Sequence, residues 1–444
     1  MMTFKRLLLS SFLATSLALG GCSAFGDDAD APPLEGERIS ILELQRHLEP
    51  DDAAMSAQGF VAPQPWKNEF WPQSGGYPNH AMQNLTLNEG PLKKVWSQSI
   101  GTGSRKHLPL ISQPIIVDGK IYTLDTENHL AAFNAQTGQR LWVRDVNHPV
   151  EDDDVIVGGI AYSRGHLYVT NGYSELLMLT PDDGRIVWRR KLPAPSRAAP
   201  TIADDRVFIT TLDNRLLALN AADGNLLWEY SGIAGAAGIV GAASPAASRD
   251  IVLPVFSSGE IYALRVENGS AAWGDNLAGI RSAGGLSGIS DIRALPVIDK
   301  GIVLAISFGN RMVALDERTG NRIWQRDIGG SEMPWVAGNS VFVLTNDNEL
   351  VSIGRDNGLI RWVRPLPKFI NPESRTGQIY WTGPVLAGSR LIVAGSDGGV
   401  IEVHPDDGSV IRSWGAGMAV SIPPIVAGET LYLLGENGTL AAYR

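Results

Sequence analysis

The chain has 444 residues, 44% of them hydrophobic and 19% charged, with 49 glycines and a single cysteine. That length suits one large repeat domain or a few ordinary ones, and the glycine content suits many tight turns. A net charge of −10 argues against nucleic acid or an anionic lipid surface as the main partner, and one cysteine excludes an intramolecular disulfide, so packing alone must hold the fold.

In chain order, the first element is a targeting segment. Lys5 and Arg6 precede the apolar run LLLSSFLATSLALGG, and Cys22 follows; signal peptides have this layout. The string Leu19-Gly20-Gly21-Cys22 resembles a bacterial lipobox, which implies cleavage after residue 21 and lipid on the sulfur and new amino group of Cys22. Cleavage removes Lys5, Arg6 and no acid, which takes the net charge from −10 to −12. Ser23, where an Asp favours inner-membrane retention, leans toward the outer membrane. Residues 22–90 are predicted to be a lipidated, acidic and largely flexible tether, because SAFGDDADAPPLEGE is rich in acids, proline and small residues. Within it, ISILELQRHL fits a short helix or an added strand, and the aromatic stretch 53–85 has no period and is expected to lie against the globular body.

From residue 91 a repeat takes over. Trp96, Trp142, Trp188, Trp228, Trp273, Trp324 and Trp362 recur at intervals of 38 to 51 residues, and Arg412 holds the eighth place. A period near 45 containing four short strands is the signature of a β-propeller blade. In 200–231 the four strands are PTIAD, RVFITT, RLLALNA and NLLWEYS, each β-rich and bounded by turn residues. Gly138, Gly184, Gly224, Gly269, Gly320, Gly358 and Gly408 each follow a Thr, Asp or Asn, four residues ahead of the repeat's Trp or Arg. Glycine suits a tight hairpin that needs positive φ, and the Trp is predicted to cover the sheet edge and pack against the next blade. LKKVWSQSI is a fourth strand with no partners before it, and PPIVAGETLYLLGENGTLAAYR is three strands with none after. Together they make one blade, so residues 91–444 are predicted to form an all-β, eight-bladed propeller of four-stranded antiparallel blades.

One face of such a ring carries short, monotonous turns and the other carries longer, variable links. Two neighbouring links stand out, at 232–248 and 278–296, rich in Gly, Ala, Ser and Ile. Ile239, Val240, Leu286, Ile289 and Ile292 are read as an exposed apolar patch of the kind that marks a protein partner site, with Asp291 and Arg293 on its rim. The alternative, that these side chains fold back over the propeller, stays open. The seven histidines show no metal-binding spacing, the glycine-rich link lacks the GKS/T of a phosphate loop, and GxSxG is absent. No catalytic residue, metal or cofactor is therefore expected.

The ALxxxTGxxxW phrase resembles the blade repeat of quinoprotein dehydrogenases, which hold pyrroloquinoline quinone and a metal. Those enzymes typically add an adjacent cysteine pair, which this chain lacks, so a quinone-dependent or other small-ligand propeller is the second reading. Lipobox, acidic tether and propeller together resemble the BamB family of the outer-membrane β-barrel assembly (Bam) machinery. That resemblance implies a non-enzymatic scaffold, lipid-anchored in the outer membrane and facing the periplasm. It also implies binding to the POTRA domains of BamA, contact with other Bam subunits and aid to unfolded outer-membrane proteins. Family motifs like LRGESAP and SDVDTTP carry the BamA contact; IVGAASP (239–245) and SDIRALP (290–296) stand in those places. Ile239 matches the family's Leu and Asp291 its first Asp, whereas Val240 replaces an Arg and Arg293 replaces the second Asp.

Overall fold

The computed structural model describes residues 48–51, 59–151, 153–233, 242–278 and 291–444, and every regular element among them is a β-strand. Seven four-stranded antiparallel blades occupy 115–145, 159–191, 201–231, 246–276, 297–326, 335–365 and 381–415. The eighth joins Lys94–Ser99 to Thr439–Tyr443, Thr430–Leu434 and Ile425–Ala427 in one sheet, so the two ends of the repeat close the ring. Burial follows position within a blade. In the third blade the strand Arg215–Asn220 is buried at its four central residues, while the outer strand Leu226–Ser231 is mostly exposed. The inner strands have sheets on both sides; the outer ones sit on the perimeter, where neighbouring blades splay apart. The link after the sixth blade carries a small extra hairpin, Phe369–Asn371 with Thr376–Gln378.

Each of the seven repeated glycines has φ between +66° and +73°. Positive φ is only half of the constraint. A Cβ on Gly320 would lie 2.6 Å from the ring of Trp273, and one on Gly269 would lie 2.4 Å from that of Trp228. All seven turns meet the Trp of the preceding blade in this way. The same indole donates its Nε1 proton to a turn carbonyl, as from Trp228 to Val266 at 3.0 Å and from Trp362 to Pro405 at 2.9 Å. Trp and Gly thus form one joint shared by consecutive blades, with the ring lying flat on a backbone that only glycine leaves bare.

The eighth position breaks the rule for a topological reason. The closing blade has no hairpin between its third and fourth strands: Arg444 and Lys93 meet there by mutual backbone hydrogen bonds of 2.8 and 3.0 Å. No turn exists for a ring to cap, and Arg412 replaces it. Its Nε lies 3.1 Å from the fully buried carboxylate of Glu402, which also pairs with Arg390 at 2.5 Å. Trp414 donates to Glu402 at 2.9 Å and packs its ring at a tilt against Tyr443 of the closing blade, with centroids 4.9 Å apart.

The predicted flexible tether ends earlier than residue 90. Trp71, His80, Met82 and Leu85 are buried, and residues 68–85 travel once round the axis, bonding to the first strand of every blade. Asn68 accepts from Gly428 beside the eighth blade, Trp71 exchanges bonds with Ile116 in the first, and Pro72 accepts from Tyr162 in the second. The Gln73 side chain accepts from Ile202 in the third blade. Pro78 and Asn79 accept from Ala247 and Ile298 in the fourth and fifth. Gln83 accepts from the indole of Trp335 in the sixth, and Leu85 donates to Leu386 in the seventh. The inner strand of a propeller blade has one unpaired edge facing the axis. Such edges need cover, and this strap supplies it on the face that carries the short turns. Its bonds fall where each blade needs a partner, not at a fixed spacing, which is why the stretch shows no period.

Candidate functional site

The links that enter successive blades converge on the axis at the opposite face and enclose a cavity of about 670 Å³. Ser74 and Gly75 of the strap contribute to its lining. The geometry of the links is regular. Ile111, Arg197, Ala242, Arg293, Ser331 and Ser421 each stand four residues before the first strand of a blade, and all six line the cavity. The residues two places later, such as Ser244 and Leu295, line it too. In an extended link, side chains alternate between two sides, so these residues face the axis, whereas those between, Glu332 and Ile422 excepted, do not line the cavity.

That alternation decides the fate of the residues singled out in the sequence. Ile292 is 2% exposed and belongs to the core between the fourth and fifth blades, with Ala243, Val255 and Ile298. It is not part of an exposed patch, because its place in the link turns it away from the axis. Asp291 is also buried, and its carbonyl accepts from Phe308 at 3.0 Å. Arg293, one place on, lines the cavity. Ile239, Val240, Leu286 and Ile289 lie outside the described residues. The described start of the first link does expose an apolar side chain, Ile233, at 64%.

Sequence reading missed the charged lining. Lys106, Arg197 and Arg293 precede the first, third and fifth blades and form no ion pair among the described residues; Arg105 pairs with Glu127 at 3.3 Å. Glu332 lies in the link before the sixth blade. Its carboxylate accepts from the Thr382 hydroxyl at 2.6 Å and the Gly383 amide at 3.1 Å. Desolvation by its surroundings raises its pKa, against the opposing pull of Thr382, Arg293 and Gly383. A sequence signal existed: Arg197 and Arg293 hold the same place, four residues before a blade. It is visible only after the strand starts are known. Among the described residues no group of His, Cys, Asp or Glu could hold a metal ion.

With fold and site in hand, the likeness to known proteins is specific. A family model described as "Outer membrane protein assembly factor BamB" matches residues 151–364. The protein of that name from Yersinia pestis is 24% identical over 356 residues, covering 79% of this chain and 88% of its own length.

The chain is a relative of BamB.

The crystal structure of BamB from Moraxella catarrhalis superposes with a TM-score of 0.64 at 18% identity, covering 80% of this chain and 98% of that one. A quinohemoprotein alcohol dehydrogenase from Comamonas testosteroni gives 0.62 at 13% identity, covering 88% and 84%. At such identities the structures speak to the shared propeller. The sequence match to BamB carries the relationship, and the BamB-like repeats are of the quinoprotein type.

Proposed function

We propose that this chain is a non-enzymatic scaffold of the machinery that assembles outer-membrane β-barrel proteins, held at the outer membrane by lipid on Cys22 and facing the periplasm. The observation that carries the reading is the match to a relative named for that assembly, along 88% of the relative's length. The partner surface is the link face beside the fourth and fifth blades, where Ile239, Val240, Leu286 and Ile289 supply apolar contact to the POTRA domains of BamA. Arg293 fixes the register from the axis side, with Asp291 buried in the same link. Ile292 supports the surface from below as a core residue. Other Bam subunits and unfolded barrel proteins complete the set of partners.

The test is affinity for purified BamA periplasmic domains. Ile239→Asp would place an unpaired charge in the contact and is expected to weaken binding by about 2 kcal/mol or more while leaving circular dichroism unchanged. Arg293→Asp is expected to cost less, as rim charges mostly tune rate and specificity. Wild-type affinity in a folded Ile239→Asp variant would move the contact elsewhere. The quinoprotein likeness of the fold supports a second reading, a quinone-dependent enzyme. Stoichiometric uptake of pyrroloquinoline quinone with calcium, accompanied by alcohol or sugar oxidation, would establish it and displace the scaffold.

A further inference from the structure

The axial cavity has chemistry that a pure scaffold does not require. In a chain of net charge −10, its lining gathers Arg105, Lys106, Arg197 and Arg293 against the carboxylates of Glu332 and Glu436. Of those four, Lys106 and Arg197 have no ionic partner among the described residues, and Arg293 is drawn to Glu332 only by a longer-range attraction. A surplus of positive charge inside a concave, low-dielectric site focuses the field on an anion. The rest of the lining includes apolar side chains, among them Leu110, Leu295 and Met333. Its volume of about 670 Å³ falls in the range of small-ligand pockets, roughly 300–1,000 Å³. The two lining carboxylates, one of them Glu332 with its Oε2 already accepting from Thr382 and Gly383, would repel a multiply charged phosphate more than a single negative charge. Backbone amide nests at helix N-termini, the usual phosphate cradle, have no counterpart among the described residues, where every regular element is a strand.

We infer that the axial cavity binds a monocarboxylate carried on an apolar body, with Arg197 and Arg293 as the guanidinium pair that receives it and Lys106 guiding it in from the mouth. The positions of the two arginines support this. They stand at equivalent places before the third and fifth blades, and so face the axis from two directions with the fourth blade's Ala242 between them. Such a carboxylate could be the free C-terminus of a polypeptide or a free small acid; the chemistry recognised is the same.

Calorimetric titration of the full-length chain in detergent tests this. The probes are N-acetyl-Ala-Phe with a free carboxylate, the same peptide as its amide, and 3-phenylpropanoate. The free-acid peptide or 3-phenylpropanoate is expected to bind in one-to-one ratio, with the amide about tenfold weaker or worse than the acid peptide, since charge-assisted bonds to guanidinium are lost. Arg197→Gln with Arg293→Gln is expected to weaken the acid about tenfold without moving the melting temperature. If that pair fails to fold, Lys106→Glu on the exposed mouth should slow association and lower affinity several-fold. A peptide acid much tighter than 3-phenylpropanoate assigns a chain terminus, and equal affinities assign a free small acid. Failure of both acids to bind, equal binding of acid and amide, or unchanged binding by the folded variants would overturn the inference. None of these outcomes bears on BamA binding, so the scaffold reading stands or falls separately.

Discussion

At the scale of single residues, the repeated glycine answers two demands that can be separated. Gly320 has φ +72° and would place a Cβ 2.6 Å from Trp273, whereas Gly165 has φ +80° and open space around it. Gly165→Ala is expected to cost about 1–2 kcal/mol for left-handed backbone alone. Gly320→Ala should cost about 2–4 kcal/mol, because displacing the ring adds an overpacking penalty. Denaturant titration of the two variants measures the ring's share as their difference, and equal costs would deny the joint. His80 makes a second residue-scale case. It is buried in the strap with Nδ1 donating to the Pro296 carbonyl at 2.7 Å and no partner for Nε2 among the described residues. Burial lowers its pKa from 6.5 to about 4, against the weaker opposing pull of that carbonyl. Between those values the unfolded chain holds the extra proton, so stability is full above pH 6.5 and falls as pH drops toward 4. The loss is about 3 kcal/mol. In His80→Gln, which keeps a donor and does not titrate, this part of the acid sensitivity should vanish from the pH dependence of unfolding.

Among elements, the strap and the closing joint are what the repeat alone does not describe. Leu85 is fully buried, and its backbone bonds to the seventh blade on both sides, to Leu386 and from Gly388. Leu85→Ala should therefore cost about 2–5 kcal/mol, an effect a flexible tether would never show. Limited proteolysis should likewise spare residues 66–92. At the closing joint, Glu402 is the carboxylate that pairs with both Arg390 and Arg412. Glu402→Ala leaves Arg390 buried and unpaired, and is expected to lower stability by about 3–5 kcal/mol. Arg412→Trp should not compensate, since the ring would find no turn to cover. A gain in melting temperature from Arg412→Trp would show that the missing hairpin is not the reason for the arginine.

For the whole molecule, the ring stands on closure. The strand Thr439–Tyr443 pairs with Lys94–Ser99 on one side and Thr430–Leu434 on the other, so it fastens the last part of the chain to the first. Truncation before Thr439 should remove more stability than the loss of one outer strand elsewhere, and the melting transition should broaden or split as neighbouring blades lose their flank. A single sharp transition at the wild-type temperature would contradict this. The sequence by itself determined the blade count, the strands of each blade, the Gly–Trp spacing and the sharing of one blade between the two ends. These rest on local turn chemistry and on a period that repeats along the chain. Only the tertiary structure decided the rest. The strap is aperiodic because its partners are eight different inner edges, each met at its own spacing. Ile292 went inward and Arg293 toward the axis because alternation is counted from the strand that follows, a register that composition does not reveal. The cationic lining joins Lys106, Arg197 and Arg293, which lie two blades apart in sequence and become neighbours only when the ring closes around the axis.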